Sequence, residues 1–410
     1  FAGASAGGDL SSTFWNPAAA GIAGQGLQSE SHYSVIVPNV DVSSNSITTL
    51  PGSLAPAGTV TTGDAMTMDR MALVGSSYYA YRMSQDLVLG VAINSPFGLA
   101  NETSNDQWSG ARHFRSAKLF TMTATPMASY KIAPGLMLGA GVQIQYASLR
   151  FKANPSSGLA PSQGNQVLDG DDIGFGYTGG ILWQPTRGTN IGLGYRSRVN
   201  HTVEGDASMA SGSLVTGVGL GTVPFTPIAM QAALTTPDIA NLSIRQSVSP
   251  NARLLGSVEW TNWSLVNKVN FFATGPGGIS AAPTTTGTLL SQFDFHWKDG
   301  WMFSVGGEYD WSKQITLRGG VAYEISPIQS ADSRKANITD ADRVWLSVGG
   351  NYKWSQATSF DFAYSHVFID DAAIDQLTTS PGTATTPVRR LLGSVNQGAD
   401  IISLSMKTKW

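Results

Sequence analysis

From Arg343 to Trp354 the chain reads RVWLSVGGNYKW. Its even positions are Val344, Leu346, Val348, Gly350, Tyr352 and Trp354, while Arg343, Ser347, Asn351 and Lys353 fall between them. The same alternation places Trp301, Phe303, Val305, Tyr309 and Trp311 on one face, opposite Ser304, Glu308 and Asp310. Phe360, Phe362, Tyr364 and Phe368 share a face further on. At the end, Ile402, Leu404, Met406 and Trp410 oppose Lys407 and Lys409. A period of two predicts strands with one apolar and one polar face. The aromatics gather toward strand ends, where the interfacial girdles of a membrane barrel lie.

Connection lengths extend this picture. Short turns are expected at 84–86, 133–135, 185–188, 249–251, 312–313 and 355–356. Longer loops rich in Gly, Ser, Thr, Pro and Asp fall near 44–66, 96–115, 153–167, 206–235, 274–289, 329–341 and 371–395. The intervening strands are 27–43, 67–83, 87–95, 116–132, 135–152, 168–184, 189–205, 236–248, 252–273, 290–311, 314–328, 342–354, 357–370 and 396–410. An even count, with short turns at one rim and long loops at the other, predicts an all-β protein: a 14-stranded antiparallel transmembrane β-barrel. A sandwich does not segregate its loops in this way. Fourteen strands enclose a lumen wider than their own side chains fill, so it is open or plugged.

Residues 1–26 precede the first strand and are too short for a domain. They are expected to form an N-terminal hatch in the lumen of the 27–410 barrel. A disordered leader is the alternative for a chain terminus. Within them, "STFWNPAAAGIAG" sets Phe14 and Trp15 before Asn16-Pro17-Ala18, a turn-forming step followed by small residues suited to close packing.

Composition narrows the function. Charged residues are only 13 % of the 410, the net charge is −3, and there are 46 glycines and no cysteine. No global field for nucleic acid exists, and the missing thiols fit an oxidising compartment. No run of 18 apolar residues occurs, which excludes transmembrane helices. The chain starts at Phe1 without a leader pattern, so it is expected to be already processed or to lack some residues of its natural start.

Gly3–Gly7, "GASAG", matches GxSxG but has no preceding strand to form a nucleophile elbow. The five histidines have no metal spacing, and "DGDD" at Asp169–Asp172 is a weak cation motif. "GVGLG" at 217–221 lacks the βαβ unit of a dinucleotide site. No catalytic residue, metal or cofactor is expected. A general porin for small polar solutes, and an outer-membrane lipase-type enzyme, stand as the alternative functions.

The chain resembles the FadL-type outer-membrane transporters of long-chain fatty acids and other hydrophobic compounds. The likeness rests on "FWNPAAA" at 14–20, "INSPFGLA" at 93–100, "GFGYTGGILWQP" at 174–185 and "NIGLGYRS" at 190–197. It continues in "VEWTNWS" at 258–264, "ITLRGGVAYEISPI" at 315–328 and "DRVWLSVGGNYKW" at 342–354. The resemblance implies passive transport in the Gram-negative outer membrane, with a hatch motif matched by Asn16, Pro17 and Ala18. In the family that motif packs near an inward kink of the third strand, through which apolar substrate leaves sideways into the bilayer.

Ser95, Pro96, Phe97 and Gly98 stand where such a kink would lie, since Pro cannot donate a ladder bond and a nearby Gly permits a bulge. The plain end of strand three is the alternative. The resemblance also places Arg150 and Lys298 near a substrate carboxylate, although Lys298-Asp299 also reads as an ordinary ion pair. Leu214, Val218, Leu220, Val223, Phe225, Ile228 and Met230 are expected to form an apolar capture loop, or else to pack over the barrel mouth. Loop 153–167 is shorter and more polar than in many relatives. Trp108, Arg112, His113 and Arg115 read as a solvated loop face or an attractor of lipopolysaccharide phosphates. The implied partners are a hydrophobic small molecule, outer-membrane lipid and lipopolysaccharide, with the protein a monomer.

Overall fold

The computed structural model describes residues 2–49, 60–61, 66–103, 108, 110, 113–153, 166–209, 214–216, 219–221, 225–279, 282–379 and 387–410. Among these, fourteen antiparallel strands close into one barrel. They are β1 (Leu27–Thr49), β2 (Met66–Met68 and Ala72–Arg82), β3 (Leu87–Asn94 and Gly98–Glu102), β4 (Ser116–Ala133) and β5 (Leu136–Ala153). Next come β6 (Gln166–Thr186), β7 (Thr189–Arg196 and Val199–Met209), β8 (Ile228–Thr236 and Ile239–Ser247) and β9 (Ala252–Thr261 and Lys268–Ala273). The circuit ends with β10 (Leu289–Asp294 and Gly300–Asp310), β11 (Ile315–Ile325), β12 (Arg343–Lys353), β13 (Thr358–Thr379) and β14 (Pro387–Lys409). β14 pairs with β1 from Gln28↔Lys409 to Thr49↔Arg389 and closes the cylinder.

The alternation comes out inverted relative to a soluble core. Val344, Leu346, Val348, Tyr352 and Trp354 are exposed on the outer wall, as are Val305, Tyr309 and Trp311. Buried positions carry Thr121, Thr123, Thr125, Gln143, Gln145 and Ser304. Tyr81, Tyr130, Trp183, Trp311, Trp354 and Trp410 are exposed near the short-turn rim, where an aromatic girdle belongs. No helix among the described residues is long and apolar enough to cross a membrane; this chain crosses with strands.

Some boundaries move. β1, β13 and β14 run further into the long-loop end than 43, 370 and 396, because their outer segments keep pairing with one another. Five strands expected to be continuous are interrupted: β2 at 69–71, β7 at 197–198, β8 at 237–238, β9 at 262–267 and β10 at 295–299. Pro237 accounts for one interruption, since it lacks the ladder N–H. β8 also begins at Ile228 rather than 236. Ile228, Met230, Ala232 and Leu234 are buried while Ala229, Gln231 and Ala233 are exposed, a strand pattern that the surrounding apolar residues disguise as loop.

Candidate functional site

The interior has three tiers. At the short-turn end lies the N-terminal segment, with short 3-10 helices at Leu10–Phe14 and Pro17–Ile22. Asn16 is fully buried, and its side chain makes three hydrogen bonds. Its Oδ1 accepts from the Ala18 N–H at 3.0 Å, and its Nδ2 donates to the carbonyls of Ser5 (2.8 Å) and Ile181 (2.9 Å). Pro17 takes the first helical position, where its missing N–H costs nothing.

The segment lies directly on barrel backbone. A β-carbon added to Gly139, Gly180, Gly192 or Gly194 would stand well inside 3.0 Å of Ala18, Asn16, Ser5 or Trp15, so only glycine fits beneath it. The Ser129 hydroxyl donates to the Ala18 carbonyl at 3.0 Å. The aromatic pair is anchored too. The Trp15 indole N–H donates to Glu259 at 2.6 Å, and the Arg196 guanidinium lies 4.4 Å above the Phe14 ring while donating to the Phe14 carbonyl. Asn16-Pro17-Ala18 therefore rests on β5, β6 and β7 rather than at residues 95–98. Glycines sharing one parity in "LGAG", "GYTGG" and "GLGY" were the available signal for this bed.

Across the lumen the same segment meets charges. Asp9 pairs with Lys407 at 2.6 Å and with Arg318 at 3.6 Å. Arg318 also binds Asp361 and Glu308, and Arg253 joins Glu308 to Asp310. Asp9, Arg253, Glu308, Asp310, Arg318 and Lys407 line a polar cavity of about 690 Å³ between the segment and β8–β14. Burial alone would raise the Asp9 carboxyl, but Lys407 and Arg318 outweigh it and hold it below its ordinary 3.8.

The middle tier is polar, with Thr121, Thr123, Thr125, Gln143, Gln145, Asn94 and His201 all buried. His201 is bound by Asp172 at Nδ1 and Gln145 at Nε2, both at 3.0 Å. Ser5, the serine of "GASAG", spends its hydroxyl on the Gly192 carbonyl at 2.9 Å.

Toward the long-loop end the interior turns apolar. Trp108, Phe114, Phe151, Phe271, Phe295, Ile228 and Met230 belong to one buried cluster. Trp108 and His113 are thus buried beside Phe114 instead of forming a solvated loop face, because the indole and phenyl surface is removed from water there, while Arg112 lies outside the described residues. Aromatic rings continue from this cluster. Phe151 meets Phe293 at 4.7 Å, then come Phe295 and Trp297 (4.7 Å apart), Trp263 (5.5 Å) and Phe97 (5.7 Å). Short-range sequence reading missed these rings because 151, 263 and 293–297 belong to different strands.

Phe97 stands at a break in the wall. β3 pairs with β2 only from Arg82↔Val88 to Ser77↔Ile93. Beyond it, Gly98–Glu102 pairs with β4 alone, while Ala72–Ser76 of β2 pairs with β1 alone. On the β4 side, Asn94↔Thr123 is followed by Gly98↔Phe120, so Ser95, Pro96 and Phe97 oppose two residues. This is a bulge. The Thr121 N–H and hydroxyl donate to the Phe97 carbonyl at 3.1 and 2.6 Å and hold it. The ladder missing beside Ala72–Ser76 amounts to roughly 16 Å of strand at ~3.3 Å per residue.

Other expected site residues are placed differently. Arg150 is exposed on the outer wall, with Lys118 and Asp169 as cross-strand neighbours. Its parity, shared with outward Val142 and Ile144, carried that information. Lys298 is exposed on the interruption of β10; Asp299 turns instead to the Trp260 indole (2.9 Å) and the Ser264 N–H. The two cations are not brought together at a lumen pocket. Of the expected capture loop, Ile228 and Met230 are buried and Phe225 is half-buried. Val218 and Val223, like the side chains of Leu214 and Leu220, lie outside the described residues. Asp169 and Asp171 face outward, and no cluster able to hold a metal occurs among the described residues.

The sequence model for the outer membrane protein transport proteins (OMPP1/FadL/TodX) matches residues 1–410. The chain belongs to this family. Among relatives, a putative outer membrane protein of Neisseria meningitidis is 26 % identical over 401 residues, covering 89 % of this chain and 82 % of that one. A long-chain fatty acid transport protein of Salmonella typhi is 25 % identical, covering 76 % and 74 %. A Pseudomonas aeruginosa FadL homologue superimposes with a TM-score of 0.83 at 22 % identity, covering 100 % and 96 %. The Pseudomonas putida toluene transporter TodX gives 0.67 at 18 %, covering 97 % and 94 %; both structures share the fold. This FadL-family chain is an outer-membrane β-barrel of the Gram-negative type.

Proposed function

We propose that this FadL-family protein carries hydrophobic molecules inward from the cell surface and releases them sideways into the outer membrane through the break in β3. The N-terminal segment acts as a hatch that keeps the short-turn end shut. The single observation that carries this reading is the one-sided ladder of β3, reached from the apolar upper interior by the ring series ending at Phe97. A lateral exit suits apolar cargo, because release into water forfeits about 0.8 kcal/mol per CH₂ that release into hydrocarbon keeps. Relatives named for long-chain fatty acid and toluene transport support this substrate class.

The test is uptake of labelled oleate and toluene by a Gram-negative host lacking its own transporters. Deleting Pro96 restores equal residue counts between β3 and β4 and invites β3 to pair with β2 throughout. Uptake is expected to fall to the empty-vector level while the barrel still inserts and stays heat-modifiable on gels. Undiminished uptake by that inserted variant would sink the lateral route. A conductance typical of an open pore would favour the porin reading instead.

A further inference from the structure

The inner face of the break holds hydrogen-bonding capacity that the protein leaves unused. Asn94, the last residue of β3 before the bulge, is 5 % exposed, and neither its amide nitrogen nor its oxygen has a hydrogen-bond partner. The Tyr78 hydroxyl lies beside it without meeting hydrogen-bond geometry. Thr125 of β4 is fully buried and its hydroxyl is also unpartnered. Asn94 pairs with Thr123 and Ala92 with Thr125, so the two side chains are diagonal neighbours on the lumen side.

The surroundings differ on each side. Thr123, between them, is engaged by Gln145, and Thr121 by Phe97. Below, Ala92, Met127 and Tyr78 pack with Leu10 and Phe14 of the N-terminal segment. Above the bulge comes the ring pair Phe97–Trp263, and Trp297 beyond it has an unpartnered indole N–H. Buried polar groups are nearly always satisfied, so two neighbouring side chains left open at a wall break call for a partner from outside the chain.

We propose that Asn94 and Thr125 form a docking site for one uncharged polar group, such as a hydroxyl, carried on an apolar body that points toward the break. This rests on the transport reading above and specifies its cargo as a neutral amphiphile. The chemistry argues for a neutral group. An Asn amide offers both donor and acceptor, and a Thr hydroxyl offers either. The Arg196 guanidinium is committed to Gln143, the Phe14 carbonyl and the Phe14 ring. A pure hydrocarbon passing here would leave both polar groups unsatisfied, whereas an alcohol satisfies them until its tail enters the bilayer.

The probes are labelled 1-dodecanol and dodecane, with uptake measured in a transporter-deficient host expressing the full chain. The wild type is expected to favour the alcohol by about tenfold, the worth of roughly one to two net hydrogen bonds. Asn94→Leu with Thr125→Val, both near-isosteric, should abolish that preference and leave dodecane uptake unchanged or raised. Each single variant, a milder change should the pair fail to insert, should remove part of it. Dodecane carried by the wild type without preference for dodecanol overturns this inference alone. A preference that survives in the inserted variants also overturns it, leaving a site for water only. Neither probe carried above the empty vector sinks the transport reading with it.

Discussion

Two of the contacts between the N-terminal segment and the barrel are built differently. On β5–β7 the segment lies on bare backbone, with glycines beneath it and the Asn16 amide binding Ser5, Ala18 and Ile181 in full burial. On β11 and β14 it is held by one partly exposed carboxylate, Asp9, across a cavity of about 690 Å³. The first contact depends on shape and cannot be half-made. The second depends on charge, is screened by salt, and yields by degrees. If the segment moves, the ionic side is the one that lets go, with the glycine bed serving as its fixed seat.

The largest effect expected from breaking this contrast comes from filling the seat. Gly139→Leu drives a side chain into Ala18 and should destabilise docking by about 3 kcal/mol. Hydrogen exchange of amides 16–20 should then approach that of a free loop. Unchanged protection would mean that the segment is not seated there. Asn16→Ala comes next, at about 2 kcal/mol, because it leaves two buried carbonyls and an N–H without partners. The same exchange experiment reads it, and Gly139→Leu should add little further to it.

Trp15→Phe keeps the packing but takes one donor from Glu259, which retains Asn241 at 3.0 Å, an expected cost of about 1 kcal/mol. The smallest change is Asp9→Asn, below about 1 kcal/mol. Only this variant should lose its difference from wild type as salt rises, and an effect that persists in high salt would count against an ionic latch. The pH dependence has the same origin. Asp9 is ionised more readily in the folded protein than in an unfolded chain, so its contribution is present at neutral pH. It is lost only as the pH falls below 3.8 and through the lower folded value. Exchange at the 9–14 amides should therefore quicken in acid while that at 16–20 holds.

Much of the architecture was legible before any coordinates. Strand number and the alternation of long and short connections came from period-two runs such as 343–354, because side chains on a strand point to opposite faces whatever its neighbours are. Asn16-Pro17-Ala18 could be read as a tight turn for the same local reason. Three residues show where local reasoning falls short. Ile228 and Met230 look like loop because alanine and other apolar residues fill both faces of β8. The family resemblance places Arg150 near a substrate carboxylate, although its own parity points outward.

What no one-dimensional reading supplied concerns partners far apart in the chain. That Gly139, Gly180 and Gly194 form one bed, that Asp9 reaches Lys407, and that Phe97 meets Trp263 depend on which strands the closed barrel sets side by side. The break at β3 is of this kind too. Pro96 shows that a ladder bond is missing, but only the pairing of β2 and β4 shows on which side the wall opens. Alternation is a property of the single strand and is written residue by residue. Closure, register and contacts across the lumen belong to the assembled sheet, where residues hundreds of positions apart become neighbours.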